Sequence, residues 1–468
     1  WTASSEDGCA GVTYYYDGQP FAGSFTQNAT GRLAATATGC QGSGAGQLIE
    51  MYSYTAAGAV TKKRMRMVRS GGATVDFDVA YGYTADGKLS TVLYPGASTP
   101  YTYTYDLMDR ATKMTGVSAA YTNTIDHVKD VVYGAAGQIT SMKYVQGETE
   151  NDTTGNGDLI GIPYYFQETK TYNSLYQMTK QTTTGTGGTA AEIEYNFAAT
   201  TNNGRITSRK NNVSGEEVVY AYDELNRLIS ASTAGSGGWG QSFGYDGFGN
   251  LLNQTPTKGT APSISLSVDG ATNRVNGSGW GYDANGNTTL MPIVGGSTAN
   301  AFDVDNRMVS SMGGAEEYGY APDNKRVWKK EPGGTETVYF YGANGQKLVT
   351  YTVQSSPFAL IAARVNVYFG GRLIRADGVA VVHDRLGSVV ARATCAACPA
   401  PGVTKKDYFP YGDEIGGATG GNVDKFGTYL RDGTTGLDYA DQRYYSGVAA
   451  RFVTSDPAEP GDAGDPGS

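Results

Sequence analysis

The sequence predicts an all-β fold: one continuous sheet of successive hairpins, coiled into a hollow tube or shell. Three observations predict it. A tyrosine–aspartate turn motif recurs along the chain. The segments between its copies alternate with period two, as strands do, and no helical stripe exceeds two turns. Glycine and tyrosine are abundant, at 66 and 35 of 468 residues, against 14 Phe and 4 Trp. Glycine is roughly twice its ordinary share, yet with 16 Pro the chain stays below the composition of a disordered one. The glycines therefore read as punctuation between strands, and tyrosine and threonine as residues of a pleated, half-buried surface.

The motif is best seen in mid-chain. Tyr222-Asp223-Glu224-Leu225-Asn226-Arg227-Leu228 is followed by Tyr245-Asp246-Gly247-Phe248-Gly249-Asn250-Leu251. Tyr282-Asp283 with Gly286-Asn287 and Phe302-Asp303 with Asn306-Arg307-Met308 continue the series. Upstream, Tyr105-Asp106 precedes Asp109-Arg110, and Tyr83 precedes Gly87-Lys88-Leu89. Weaker copies begin at Tyr133, Tyr172, Tyr320 and Tyr341. Most copies lie roughly 20–28 residues apart, a spacing typical of repeat architectures.

Each position has a physical task. The aromatic ends a strand and packs on the sheet. The aspartate accepts backbone N–H groups and starts a turn. Gly or Asn four residues after the aromatic suits a left-handed backbone. A long polar residue follows, then an apolar one that opens the return strand. The tyrosines are expected to form a ladder of stacked rings from turn to turn, each buried at one end and hydrogen-bonded at the other. A sugar-binding platform is the alternative reading of the same rings. Breaks at Glu148–Gly161 and Thr183–Thr189 read as surface loops.

The net charge of −9, from 36 basic and 45 acidic residues, argues against a nucleic-acid footprint. The densest basic cluster, Lys62, Lys63, Arg64 and Arg66, reads as a solvated strand face. No apolar run reaches the roughly 18 residues of a membrane-spanning helix. The chain opens on Trp1 and ends on Asp465-Pro466-Gly467-Ser468, so both ends read as cuts from something longer.

Cys9 with Cys40, and Cys395 with Cys398, are disulfide candidates for an oxidising compartment. Free thiols, a zinc site and a redox Cys-x-x-Cys are the weaker alternatives. The two histidines, His127 and His383, have no evident Ser or Cys partner, so no catalytic residue is assigned. Asp152, Thr154 and Asn156 with Gly157 begin like a calcium loop, but Pro163 stands where the bidentate Glu belongs. No cofactor and no metal are assigned.

The tyrosine–aspartate series resembles the YD repeat of the Rhs family, relatives of which include toxin-complex shells and teneurins. The C-terminal part adds finer likeness. Asp384-Arg385-Leu386-Gly387-Ser388 resembles the family's Asp-x-Leu-Gly-Ser strand, and Tyr408-Phe409-Pro410-Tyr411-Gly412 its aromatic-Pro-aromatic-Gly segment. Gly436-Leu437-Asp438-Tyr439-Ala440-Asp441-Gln442-Arg443-Tyr444-Tyr445, then Arg451-Phe452 and Ser455-Asp456-Pro457, resembles the Rhs-associated core. Ser446-Gly447 and Ala450 depart from that pattern at turns.

The resemblance implies a non-enzymatic shell, closed by its C-terminal core segment, that encloses or presents a C-terminal effector of the same polypeptide. It implies a secreted or cell-surface location. The family's autoprotease is not carried over, because Asp456-Pro457 and Asp465-Pro466 are the only Asp-Pro pairs at this end. Three segments are expected: an N-terminal β segment (1–50), the repeat shell (51–424) and a core plug (425–468). In the plug, Tyr444, Tyr445 and Phe452 are expected to turn inward, with Arg443 and Arg451 meeting turn carboxylates or carbonyls. An adhesion or fibre module binding glycans or a partner protein is the second reading; the residues after Ser468 would discriminate the two.

Overall fold

The computed structural model describes residues 11–38, 47–69, 72–118, 123–152, 159–394 and 402–454, with backbone alone at 149–152 and 159–160. Antiparallel strands joined by short turns make up nearly all of it, and among the described residues no sheet closes on itself by strand pairing. Two compact units divide the chain. The first holds residues 1–217 and 337–406, the second 218–336 and 407–468.

The first unit begins with successive hairpins, among them Gln47–Tyr54 with Val60–Val68 and Tyr101–Tyr105 with Ala111–Val117. A later run of strands, Val367–Phe369, Arg372–Ala376, Val379–His383 and Val389–Ala393, packs on them. Their shared core contains Met114, Val128, Met142, Tyr144, Phe166 and Ile193 from the hairpins, and Phe369, Val382 and Val390 from the later strands. The second unit repeats this plan. Hairpins such as Gly240–Tyr245 with Leu251–Lys258 share a core of Trp239, Phe243 and Leu251 with the later residue Phe409.

The turns are alike because their backbone bonds are alike. Asp223 N–H donates to Arg227 O at 3.0 Å, and Asn226 N–H returns to Asp223 O at 3.1 Å. The same two bonds recur at Asp106, Asp246, Asp283 and Asp303. The fourth residue after the aromatic is left-handed throughout, as at Asp109, Asn226, Gly249, Gly286 and Asn306. The strand register shifts by one at each motif aromatic, so every turn carries a bulge. Thr55, Glu331 and Gly342 open turns with the same bond pair and no aspartate. The Asp384–Ser388 stretch, read above as a strand, is also such a turn, with His383 in the aromatic's place.

Three further expectations are corrected. The Glu148–Gly161 stretch is strand for most of its length, because Ile139–Asp152 and Leu159–Tyr172 pair along it, and Glu148 is fully buried. Thr183 to Thr189 is a tight hairpin, not a surface loop: its β-branched residues continue the pleat, and Thr183 is buried. The basic cluster is not simply solvated. Lys63 is buried against Glu50 at 2.7 Å. Arg64 and Arg66 pair across the ladder with Asp78 and Asp76, each through two nitrogens at 2.6–2.7 Å.

Candidate functional site: the repeat turns and the buried C-terminal segment

Two features could carry function: the repeated turn and the segment packed beneath it. In the turn, one aspartate oxygen gathers backbone donors and the other holds the long polar residue. Asp223 Oδ1 accepts Leu225 N–H (3.0 Å) and Arg227 N–H (2.8 Å), while Oδ2 takes Arg227 Nε at 2.7 Å. Asp106, Asp246 and Asp303 do the same with Arg110, Asn250 and Arg307. Asp283 bonds Asn287 through both its backbone and its side chain.

The tyrosines of several turns reach back to the turn before. Tyr105 Oη donates to Leu89 O, Tyr133 Oη to Ala111 O, Tyr245 Oη to Leu228 O and Tyr320 Oη to Met308 O, at 2.6–2.8 Å. Each acceptor is the apolar residue that opens the preceding return strand. The cation just before that residue lies over the tyrosine ring: Lys88 over Tyr105, Arg110 over Tyr133, Arg227 over Tyr245 and Arg307 over Tyr320. The expected ladder of stacked rings is thus a ladder of ring, cation and carbonyl. Tyr282 varies it, its hydroxyl accepting Val275 N–H at 3.0 Å. The apolar openers differ in depth: Met308 and Leu251 are buried, Leu228 half-buried.

In the first unit the later strands bring charge into the core. Arg372 reaches both oxygens of Glu168, which also meets Lys170 at 2.9 Å. Burial acts to raise the Glu168 carboxyl, but Arg372 and Lys170 prevail and hold it at about 2. Neither histidine joins a triad. His127 Nε2 faces Val117 O at 2.9 Å, and the neighbouring Ser118 hydroxyl is bonded to Glu148. Burial, helped by Arg375, pushes His127 down to about 4; burial, helped by Arg372, pushes His383 down to about 3.

In the second unit Arg326 is fully buried and bonds both oxygens of Asp432, at 2.6 and 2.9 Å. Its guanidinium also donates to Tyr444 Oη at 2.9 Å and lies near the rings of Tyr318, Tyr439 and Tyr444. Lys329 meets Glu316 at 2.7 Å and Asp432 at 3.2 Å. Burial acts to raise the Asp432 carboxyl; Arg326 and Lys329 outweigh it and hold it below the ordinary value. Lys425 and Glu414 form a second buried pair.

Tyr444 and Tyr445 are buried, and Phe452 is half-buried against Tyr445. Arg451 meets the Asn250 amide at 3.1 Å, and Arg443 lies 3.9 Å over the Phe452 ring. The arginine that carries the buried charge is Arg326, which sequence reasoning passed over. Its signal was a strand, Arg326-Val327-Trp328-Lys329-Lys330, with charge at both alternating positions. Of the core-signature turn, Asp384 accepts Leu386 and Ser388 N–H, Gly387 is left-handed and Leu386 is exposed. Cys9, Cys40, Cys395, Cys398, Asp456 and Pro457, and the loop after Asp152, lie outside the described residues or side chains.

The same repeat is found in known proteins. Residues 151–356 match the family model described as Teneurin YD-shell. Over that stretch the chain carries the YD-shell repeat. The chain is similar in fold to the crystal structure of TcdB2-TccC3, with 16% identity and a TM-score of 0.68 over 97% of its length. It also resembles the Photorhabdus luminescens Tc holotoxin pore, at 15% identity, TM-score 0.64 and 96% of its length. It covers only 26% and 25% of those two chains. No curated protein matches it. Among the described residues, no helix of the YD-repeat chain is long and apolar enough to cross a membrane.

Proposed function

We propose that this YD-repeat chain is part of a non-enzymatic β-shell that encloses or presents a C-terminal effector segment of its own polypeptide, in a secreted or surface-exposed protein. The shell-like fold supports a structural role. The observation that carries the finer reading is how the core signature is held. Tyr444 packs on Tyr318 and bonds Tyr320, Arg451 holds Asn250, and Val453 O accepts Thr288 N–H at 3.0 Å. Residues from three separate hairpins of the second unit thus grip the last described stretch. A segment that follows it starts from a packed layer instead of an exposed turn. A protease-cleavable tag placed after Ser468 should be cut at least about tenfold more slowly than the same tag in the exposed turn at Ser214–Gly215. Equal cutting of both tags defeats the enclosure reading.

The second reading, adhesion to a glycan or a partner protein, has two supports. One is the teneurin match. The other is a set of exposed apolar side chains at the turns, Leu107, Met108, Leu225, Phe248 and Val304. Binding of the purified chain to cells, abolished by Leu225→Ser with Phe248→Ser, would favour it over enclosure.

A further inference from the structure

We propose that Lys329 and Asn422 become joined by an intramolecular isopeptide bond. The proposal stands on the geometry of the second unit and does not depend on what the shell contains.

Lys329 lies on the strand Arg326–Lys330 and is 1% exposed. Asn422 sits just before the strand Val423–Asp424, with its backbone left-handed at φ 60°. Lys329 Nζ is 3.2 Å from Asn422 Oδ1. The orientation of the Asn422 amide is dictated by its neighbours. Oδ1 faces the lysine and accepts Gly433 N–H at 3.2 Å, whereas Nδ2 donates to Glu331 Oε1 at 2.7 Å. That same Glu331 Oε1 is 3.3 Å from Lys329 Nζ.

These are the parts that an amide exchange requires. The nucleophile is Lys329 Nζ and the electrophile is Asn422 Cγ. Gly433 N–H points at the oxygen on which negative charge develops. Glu331 touches both the amine that must lose a proton and the nitrogen that must gain one. Glu316, fully buried and 2.7 Å from Nζ, can take the first proton from the ammonium; Tyr318 Oη donates to its other oxygen at 2.8 Å. Asp432 does not need the lysine as its counter-ion, because Arg326 bonds both of its oxygens. A fixed near-contact replaces the search for a partner.

The step balances. The ammonium gives one proton to Glu316. The free amine's lone pair forms the new C–N bond at Asn422 Cγ. Glu331 takes a second proton from Nζ and passes it to Nδ2 as the Cγ–Nδ2 bond breaks, and Nδ2 leaves with its electron pair as ammonia. Ammonia then carries away the proton held on Glu316, as ammonium. No oxidant or reductant enters. The product ties a strand of the hairpin series to the C-terminal segment 93 residues later. A link across so long a loop restricts the unfolded chain strongly.

The test is the mass of the purified full chain under denaturing, reducing conditions. The expected mass is lower than the sequence mass by one ammonia, about 17 Da. Tandem mass spectrometry of a digest should yield one branched species containing Lys329 and Asn422. Lys329→Met and Asn422→Ser should each restore the full mass, and Glu331→Gln should slow formation of the bond. An unshifted wild-type mass overturns the proposal. So does a loss of ammonia without the branched peptide, since that would be cyclisation at an Asn-Gly pair. Equal formation in Glu331→Gln would overturn the role of Glu331.

Discussion

The chain uses an arginine–aspartate pair in two settings that share little beyond chemistry. Asp223 and Arg227 sit in a turn with side chains 22% and 29% exposed; Asp432 and Arg326 sit in the core of the second unit at 0% each. The turn pair is short-range and partly hydrated, so its ionic attraction contributes little. Its aspartate matters because it satisfies two backbone donors. The core pair had to shed its water entirely, a cost offset by bidentate geometry, the Tyr444 hydroxyl and the nearby Lys329. What the buried pair gains is specificity: it fixes strand Arg326–Lys330 against the C-terminal segment at one register.

The most severe way to break that comparison is Asp432→Ala. It strands the buried Arg326 without the carboxylate that it bonds through two nitrogens and should cost about 3–5 kcal/mol, enough to unfold much of the second unit. Urea denaturation followed by tryptophan fluorescence would report it, since Trp328 and Trp239 are buried in that unit. Asp223→Ala should give a clearly smaller shift in midpoint. Equal effects would mean that the turn pair is as structural as the buried one.

The next effect is pH. His127 and His383 sit at about 4 and about 3 in the fold, against 6.5 when unfolded. The folded chain therefore binds fewer protons than the unfolded chain between roughly pH 6.5 and 4. This stability is complete above pH 6.5 and is lost as pH falls through that window, on the order of 2 kcal/mol per histidine at pH 5. The fall should centre on the first unit, where both histidines lie. Melting temperatures at pH 7 and 5 test this; replacing both with Gln should flatten the difference. Asp432 acts lower on the scale. Its carboxyl is depressed, so its contribution persists until pH drops below the ordinary carboxylate range.

Smaller again is the tyrosine link. Tyr245→Phe removes the donor to Leu228 O and the 2.5 Å contact with Tyr411 Oη. About 1 kcal/mol should be lost, mainly because a partly buried carbonyl goes unpaired. If a double change with Arg227→Met is strictly additive, the cation over the ring contributes nothing of its own.

Why one region was legible and the other was not follows from the same contrast. The turn is a local device. Its donors and acceptors lie within four residues of Asp223, so period and residue type suffice to predict the bulged hairpin, the backbone role of aspartate and the left-handed Asn226. What the motif does not reveal is the partner of its own tyrosine, because Tyr245 bonds across to Leu228 in the preceding turn. The buried pairs are invisible for a stronger reason. Arg326 and Asp432 are 106 residues apart, and Glu168 and Arg372 are 204 apart. No spacing rule links them, and buried charge looks like surface charge in a sequence. That is also how Lys63 and Glu148 escaped notice.

The smallest effect probes the turn rule from inside. At the fourth position after Tyr172 the left-handed residue is Tyr176, φ 58°, where other turns place Gly, Asn or Asp. The backbone bonds are unchanged: Asn173 N–H donates to Gln177 O and Tyr176 N–H to Asn173 O, both at 3.0 Å. Asn173 Oδ1 also collects Leu175 and Gln177 N–H, as the aspartates do. A bulky residue in this backbone region costs about 1–2 kcal/mol, and asparagine much less. The ring recovers little, because Tyr176 is 59% exposed. Tyr176→Asn should therefore stabilise the first unit by about 0.5–1 kcal/mol, whereas Asn226→Tyr in the regular turn should destabilise the second by a similar amount. Denaturation midpoints of the two variants should move in opposite directions. If Tyr176→Asn is destabilising instead, the exposed ring holds a contact worth more than the strain, and the turn at Asn173 is built for its side chain and not for its backbone.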